Sequence, residues 1–160
     1  MRELEKYRCQ GTEFHEDSFS GKKSFPGVSG RTADFEVEIA PADGADIYRS
    51  FSIQLAQNEE YHTTLSFHPS ENIMKIDRKY SGSRRAIIHQ RRAQINADQG
   101  VLKLRIVLDR YSMEIFVNGG EQVLTAAIFT DLSADGIVFT AAGDIKLHGV
   151  FYPLDMNRQV

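Results

Sequence analysis

Apolar and polar residues alternate along most of this chain, between short clusters of turn-forming residues. Phe35, Val37 and Ile39 alternate with Asp34, Glu36 and Glu38, and Phe51, Ile53 and Leu55 with Ser50, Ser52 and Gln54. Tyr61, Thr63, Leu65 and Phe67 alternate with His62, Thr64, Ser66 and His68. A period of two marks a strand with one buried face. The same pattern predicts strands over 74–78, 102–109, 113–118, 122–129, 136–141 and 145–152. Turn signals lie between them at Ala42-Asp43-Gly44, Ser81-Gly82-Ser83, Asn118-Gly119-Gly120, Ala134-Asp135-Gly136 and Gly143-Asp144. Only residues 1–8 read as a helix, and a short one. Residues 11–31 are turn-rich, and SFSGKKSFPGVSG within them reads as loop.

Many short strands at regular spacing predict an all-β fold. One apolar face per strand favours a two-sheet antiparallel β-sandwich, of concanavalin A-like or jelly-roll type. Residues 104–129 show how two of its hairpins are specified. A tight turn at Arg110-Tyr111 sets Leu108 opposite Met113, Ile106 opposite Ile115 and Leu104 opposite Val117, so each apolar residue meets an apolar partner. Arg105 and Glu114 then stand diagonally on the other face, within reach of a salt bridge, and Asp109 opens the turn. Asn118-Gly119-Gly120 supplies the positive φ angles a second hairpin needs. Residues 123–129 are apolar on both faces, which predicts a strand deep in the sandwich.

At 160 residues the chain fits one domain and needs no disulfide or metal staple. Cys9 is the sole cysteine, which excludes an internal disulfide and a Cys-based zinc site and suits a reducing, cytoplasmic location. The charged start MRELEKYRCQ carries no signal-peptide pattern, and no apolar run approaches a membrane span. A net charge of −3 argues against nucleic acid as the main partner.

DRYSMEIFVNGGEQVLTAAIF resembles the C-terminal β-sandwich signature of glycoside hydrolase family 32, the invertases, fructosidases and sucrose-6-phosphate hydrolases. Asp109, Arg110, Ser112, Glu114, Phe116, Asn118, Gly120 and Glu121 match that signature, and Tyr111 departs from it. Three further segments resemble the family in order: MRELEKYR its interdomain linker, ADFEVEI its first strong sandwich strand, and MKIDRKYSG an Asp-Arg-x-x-Ser-Gly segment. The resemblance implies a linker over 1–12 and a β-sandwich over 13–160. It implies a parent β-fructofuranosidase, most simply a sucrose-6-phosphate hydrolase, whose catalytic residues sit on a five-bladed propeller. That propeller is the expected partner, and a homodimer is a second one. The family's catalytic motifs are an Asn-Asp-Pro-Asn-Gly run, an Arg-Asp-Pro run and a Glu-Cys pair. None occurs here, since the chain has no Asp-Pro dipeptide and Cys9 follows Arg8. Asp109, Arg110, Glu114, Asn118 and Gly120 are therefore expected to be structural. The alternative is a stand-alone lectin-like module for fructose-containing sugars.

Other clusters have plainer readings. Asp109 and Glu114 are the best carboxylate pair, but Arg105 and Arg110 would hold both ionised, whereas a general acid needs a raised pKa. Asp34, Glu36 and Glu38 read as a solvated acidic face that discourages edge pairing. His15, His62, His68, His89 and His148 show no metal-ligand spacing, and no cofactor is implied. Arg78, Lys79, Arg84, Arg85, Arg91 and Arg92 form a basic cluster that reads as a solvated loop. Its functional readings are capture of a phosphate or docking to an acidic partner. With Tyr80 alone interleaved, it is a poor nucleic-acid platform.

Overall fold

The computed structural model describes residues 2–81 and 90–159. A 3-10 helix at Arg2–Tyr7 precedes β1 (Thr12–Lys23), β2 (Ala33–Pro41), β3 (Ser50–Gln57), β4 (Thr63–His68) and β5 (Ile73–Asp77). Then follow β6 (Gln90–Gln94), β7 (Leu102–Asp109), β8 (Ser112–Val117), β9 (Gln122–Ala127) and β10 (Gly136–Pro153). All pairings are antiparallel, in the order β6-β5-β4-β3-β10-β2-β7-β8-β9, with β1 along β10. The fold is the expected β-sandwich. The expected N-terminal helix is a single stretch of 3-10 turns.

Two sheets share one ribbon. The first half of β10 pairs with β3, and its second half pairs with β2. β1 follows β10 along both halves, so the β1–β10 ribbon folds over from one sheet to the other and seals that flank. The predicted turn at Gly143-Asp144 is this fold-over point, inside one 18-residue strand instead of between two. Gly143 has φ +121, and a Cβ there would lie 2.9 Å from the Tyr48 Cα. Only glycine fits both the angle and the space.

β1 occupies part of the segment read as loop. Phe14 is its one fully buried residue, and two bulges, at Glu16/Phe19 and Phe19/Gly21, break the alternation that would have marked it. β6 also escaped the pattern, because an edge strand of sequence QRRAQ buries little. β9 corrects a third expectation. It is the edge of its sheet, with Val123 52% exposed, and the loop after it leaves Phe129 exposed.

The register of β7 and β8 is the predicted one: Leu104 faces Val117, Ile106 faces Ile115 and Leu108 faces Met113. These residues, with Phe35, Val37 and Ile39 of β2, form the inner face of one sheet. Ile53, Leu55, Leu65, Phe67, Met74 and Ile76 line the other. Phe139 of β10 sits among Phe14, Phe25 and Phe51, with ring centroids 5.1–6.3 Å apart across that group. Each such ring buries a large apolar area and adds pair geometry.

The flank opposite the ribbon lacks a shared strand. There β6 and β9 are the two sheet edges, and side chains span the gap. An Arg78 Nη donates to the Ala127 carbonyl at 3.4 Å, and the Thr130 hydroxyl donates to the Ser81 carbonyl.

Candidate functional site

The strand registers write out the outer face of the β10-β2-β7-β8-β9 sheet in rows. Val150, Glu36, Arg105, Phe116 and Val123 stand in one row across five strands. His148, Glu38 and Lys103 form the next. Acids on β2 thus lie directly opposite bases on β7, a stabilising cross-strand arrangement. All of these but Val123 line an open groove of about 580 Å³, together with Gly119 and Gly120.

A buried ion-pair network fixes one side of this groove. Asp34 has no exposed side-chain surface. Arg105 grips it with both edges of its fork, Nε to Oδ1 at 3.0 Å and Nη2 to Oδ2 at 2.7 Å. Arg8, arriving from the N-terminal segment, adds an Nε donation to Oδ2 at 2.9 Å and stacks 4.2 Å above the Tyr152 ring. Burial alone would push the Asp34 carboxyl up. The hydrogen bonds and charges of Arg105 and Arg8 outweigh burial and hold it below the usual carboxylate range. Two expectations change here. Arg105 turns to Asp34 on β2, where Glu114 across the hairpin was the expected partner. The β2 acids are not an edge guard, because β2 is a central strand and Asp34 is buried.

The N-terminal segment is held to this face at several points. Cys9 N–H donates to the Pro153 carbonyl at 2.8 Å, and Asp155 N–H to the Tyr7 carbonyl at 3.0 Å. An Arg158 Nη donates to the Arg8 carbonyl at 2.8 Å. Neither the role of Arg8 nor that of Arg158 was legible in the alternation pattern, because both partners are distant in sequence.

The other predicted residues serve turns. The Asp109 carboxylate accepts the Arg110 N–H at 2.7 Å. The Arg110 carbonyl accepts a donation from Arg31, which also donates to the carbonyls of Thr130, Asp131 and Ala134. Arg31 thereby ties the β7–β8 turn to the β9–β10 loop, a role with no signal in the local sequence. Tyr111, Phe129 and Leu132, each next to one of these carbonyl residues, are exposed. Asn118, at φ 49, accepts the Lys103 N–H at 3.1 Å and donates to the Asn96 carbonyl at 3.2 Å, and Gly120 follows at φ 95. Glu114 lies between Val107 and Thr125 on the outer face.

Of the basic cluster, Arg78 lies in the turn after β5, as expected of a loop, whereas Arg91 and Arg92 belong to β6; the three line a second groove of about 680 Å³ between β6 and β9. Arg84 and Arg85 lie outside the described residues. Among the described residues, no group of three His, Cys, Asp or Glu side chains is placed to hold a metal ion. No helix among them is long and apolar enough to cross a membrane.

Asp34 is locked ionised by two guanidiniums and cannot protonate a leaving group near neutral pH.

Known proteins share the sequence pattern and the fold of this chain. The sequence profile of the family described as glycosyl hydrolases family 32 C terminal matches residues 3–151. A probable sucrose-6-phosphate hydrolase of Vibrio cholerae serotype O1 is 31% identical over 119 residues, covering 74% of this chain and 20% of that protein. The sucrose-6-phosphate hydrolase of Staphylococcus xylosus is 29% identical over 126 residues, covering 78% of this chain and 25% of its own length. The chain thus spans a fifth to a quarter of these relatives. In fold, the solved sucrose-6-phosphate hydrolase from Lactobacillus gasseri superposes with a TM-score of 0.75 at 23% identity, covering 96% of this chain and 30% of that one.

Proposed function

Because the chain belongs to the glycosyl hydrolase family 32 C-terminal domains, we propose that it is the non-catalytic β-sandwich of a sucrose-6-phosphate hydrolase or related β-fructofuranosidase. Its work is to support a catalytic propeller domain. The observation that carries this reading is the family match over residues 3–151, alongside relatives several times longer. Residues 1–12 act as the linker and 13–160 as the domain proper. The clamp of Arg8 on Asp34 supports a fixed approach of that linker to the groove-bearing face. The exposed Tyr111, Phe129 and Leu132 around the Arg31 tie are the apolar surface that a partner domain or a second copy would cover.

The pure 160-residue chain is expected to release no glucose from sucrose or sucrose 6-phosphate. A steady release that survives purification by two independent routes would overturn the non-catalytic reading. At high concentration the chain is expected to self-associate in sedimentation through its apolar surface, and Tyr111→Ser with Phe129→Ser is expected to restore the monomer. A strictly monomeric parent chain removes that surface from the account.

The groove itself favours a second reading, a module that binds fructose-containing sugars. Its carboxylates, guanidinium and imidazole can hydrogen-bond hydroxyls, and Phe116 offers a ring. Calorimetry with sucrose, fructose and short fructans separates the two: millimolar or tighter binding favours the module, and no heat favours the supporting domain.

A further inference from the structure

The groove on the open flank belongs to neither reading above. It is the mouth between the two sheets, bordered by β6 on one side and six consecutive residues of β9, Gln122 to Ala127, on the other. Arg91 pairs with the buried Ile76, so it shares the inward face of its sheet, whereas Arg92 pairs with Lys75 and shares the outward one. Both nevertheless reach the same mouth, because β6 ends its sheet. Arg78 reaches it from the turn after β5. Arg92 is steadied by the Gln90 side-chain oxygen at 3.2 Å and Arg78 by the Ala127 carbonyl at 3.4 Å.

Among the described lining residues there are three guanidiniums and no carboxylate, in a chain of net charge −3. The opposite border is the edge strand β9, which begins at the polar Gln122, with Ser112 of β8 beside its far end. We infer that this mouth binds a phosphate monoester borne on a small polyhydroxylated molecule the size of a monosaccharide. A phosphate monoester carries close to two negative charges and three acceptor oxygens, which guanidinium forks match in charge and geometry. The polar residues along that border suit the sugar hydroxyls. A volume near 680 Å³ lies within the usual range for small-ligand sites, roughly 300–1,000 Å³. The arginine bridge to Ala127 and the Thr130 bond to Ser81 cross the gap between the sheets at one end. An extended acidic peptide therefore cannot run the whole length of the β9 edge, which favours the compact ligand.

This site stands on the arginines alone. Its loss would leave the supporting role intact, and loss of that role would leave the arginines where they are. The test is isothermal calorimetry of the 160-residue chain at near-physiological salt with glucose 6-phosphate, glucose, inorganic phosphate and a tetraglutamate peptide. The double variant Arg91→Gln/Arg92→Gln is run in parallel, with its unfolding midpoint recorded to show that it folds. Glucose 6-phosphate is expected to bind, glucose not to bind, and inorganic phosphate to bind more weakly than the ester. The double variant is expected to weaken the ester by about tenfold or more, as two charge-assisted donors are lost. Equal affinity for inorganic phosphate and the ester overturns the sugar-phosphate assignment, and tighter binding of tetraglutamate reassigns the mouth to an acidic protein segment. Absence of ester binding, or binding unchanged in a folded double variant, overturns the site.

Discussion

The two flanks of this sandwich are closed by different means. On one, the β1–β10 ribbon carries a backbone ladder, bulged at the fold-over, from one sheet into the other, and the N-terminal segment is clamped beside it. On the other, two sheet edges face each other and a few side-chain bonds span the gap. The ribbon flank is over-determined, so its charges can be buried and matched. The open flank leaves room between the sheets, and there the chain places arginines. The first flank suits a fixed domain junction and the second suits a ligand.

Breaking the ribbon flank should cost the most. Asp34→Asn leaves Arg8 and Arg105 without their carboxylate and is expected to destabilise the chain by about 3 kcal/mol, the range seen when one partner of a buried pair is removed. Urea unfolding reads this directly. Gly143→Ala should follow closely, at about 2–3 kcal/mol, from the combined cost of a positive φ and a Cβ pressed on Tyr48. A loss under half a kcal/mol would show that β10 can turn the corner without glycine.

The same flank should carry an acid dependence. The folded-state pKa of Asp34 lies below its ordinary 3.8, so the ionised carboxyl stabilises the fold fully above that value. Its contribution fades as the pH drops below 3.8 toward the folded-state value. Stability curves of the parent chain and Asp34→Asn should converge over that interval, and curves that stay parallel there would remove Asp34 as the cause.

Changes on the open flank should be milder. Thr130→Val removes the hydroxyl that reaches Ser81 and is expected to cost about 1–2 kcal/mol, since the buried Ser81 carbonyl loses its donor. Arg91→Gln with Arg92→Gln should change stability by less than about 0.5 kcal/mol, as exposed substitutions usually do. A loss as large as that of Asp34→Asn would mean that these arginines hold the edge strand in place, and the contrast between the flanks would collapse.

What the sequence disclosed follows the same division. Strands buried on one face announced themselves, and β7 with β8 could be read down to individual pairs, because a slip of one residue would turn Leu104, Ile106 and Leu108 outward. Edge strands were illegible or misplaced. β1 is interrupted by bulges, β6 is polar, and β9 is apolar at positions that face solvent, which imitates a central strand. Of the site, the turn residues Asp109, Asn118 and Gly120 were legible because turn chemistry is local. The long-range ties were not: Arg8 to Asp34, Arg105 to Asp34, and Arg31 to the β9–β10 loop join segments 26 to 103 residues apart. Nothing in a local pattern distinguishes such an arginine from a solvated one.

The measurement that tests the supporting role most directly is the size of the native protein, by immunoblot of source-cell extract with antibody raised to these 160 residues. The account predicts a band several times heavier than 18.1 kDa, the mass of this chain. A single band at 18.1 kDa would contradict it, and would leave the sandwich as a protein in its own right.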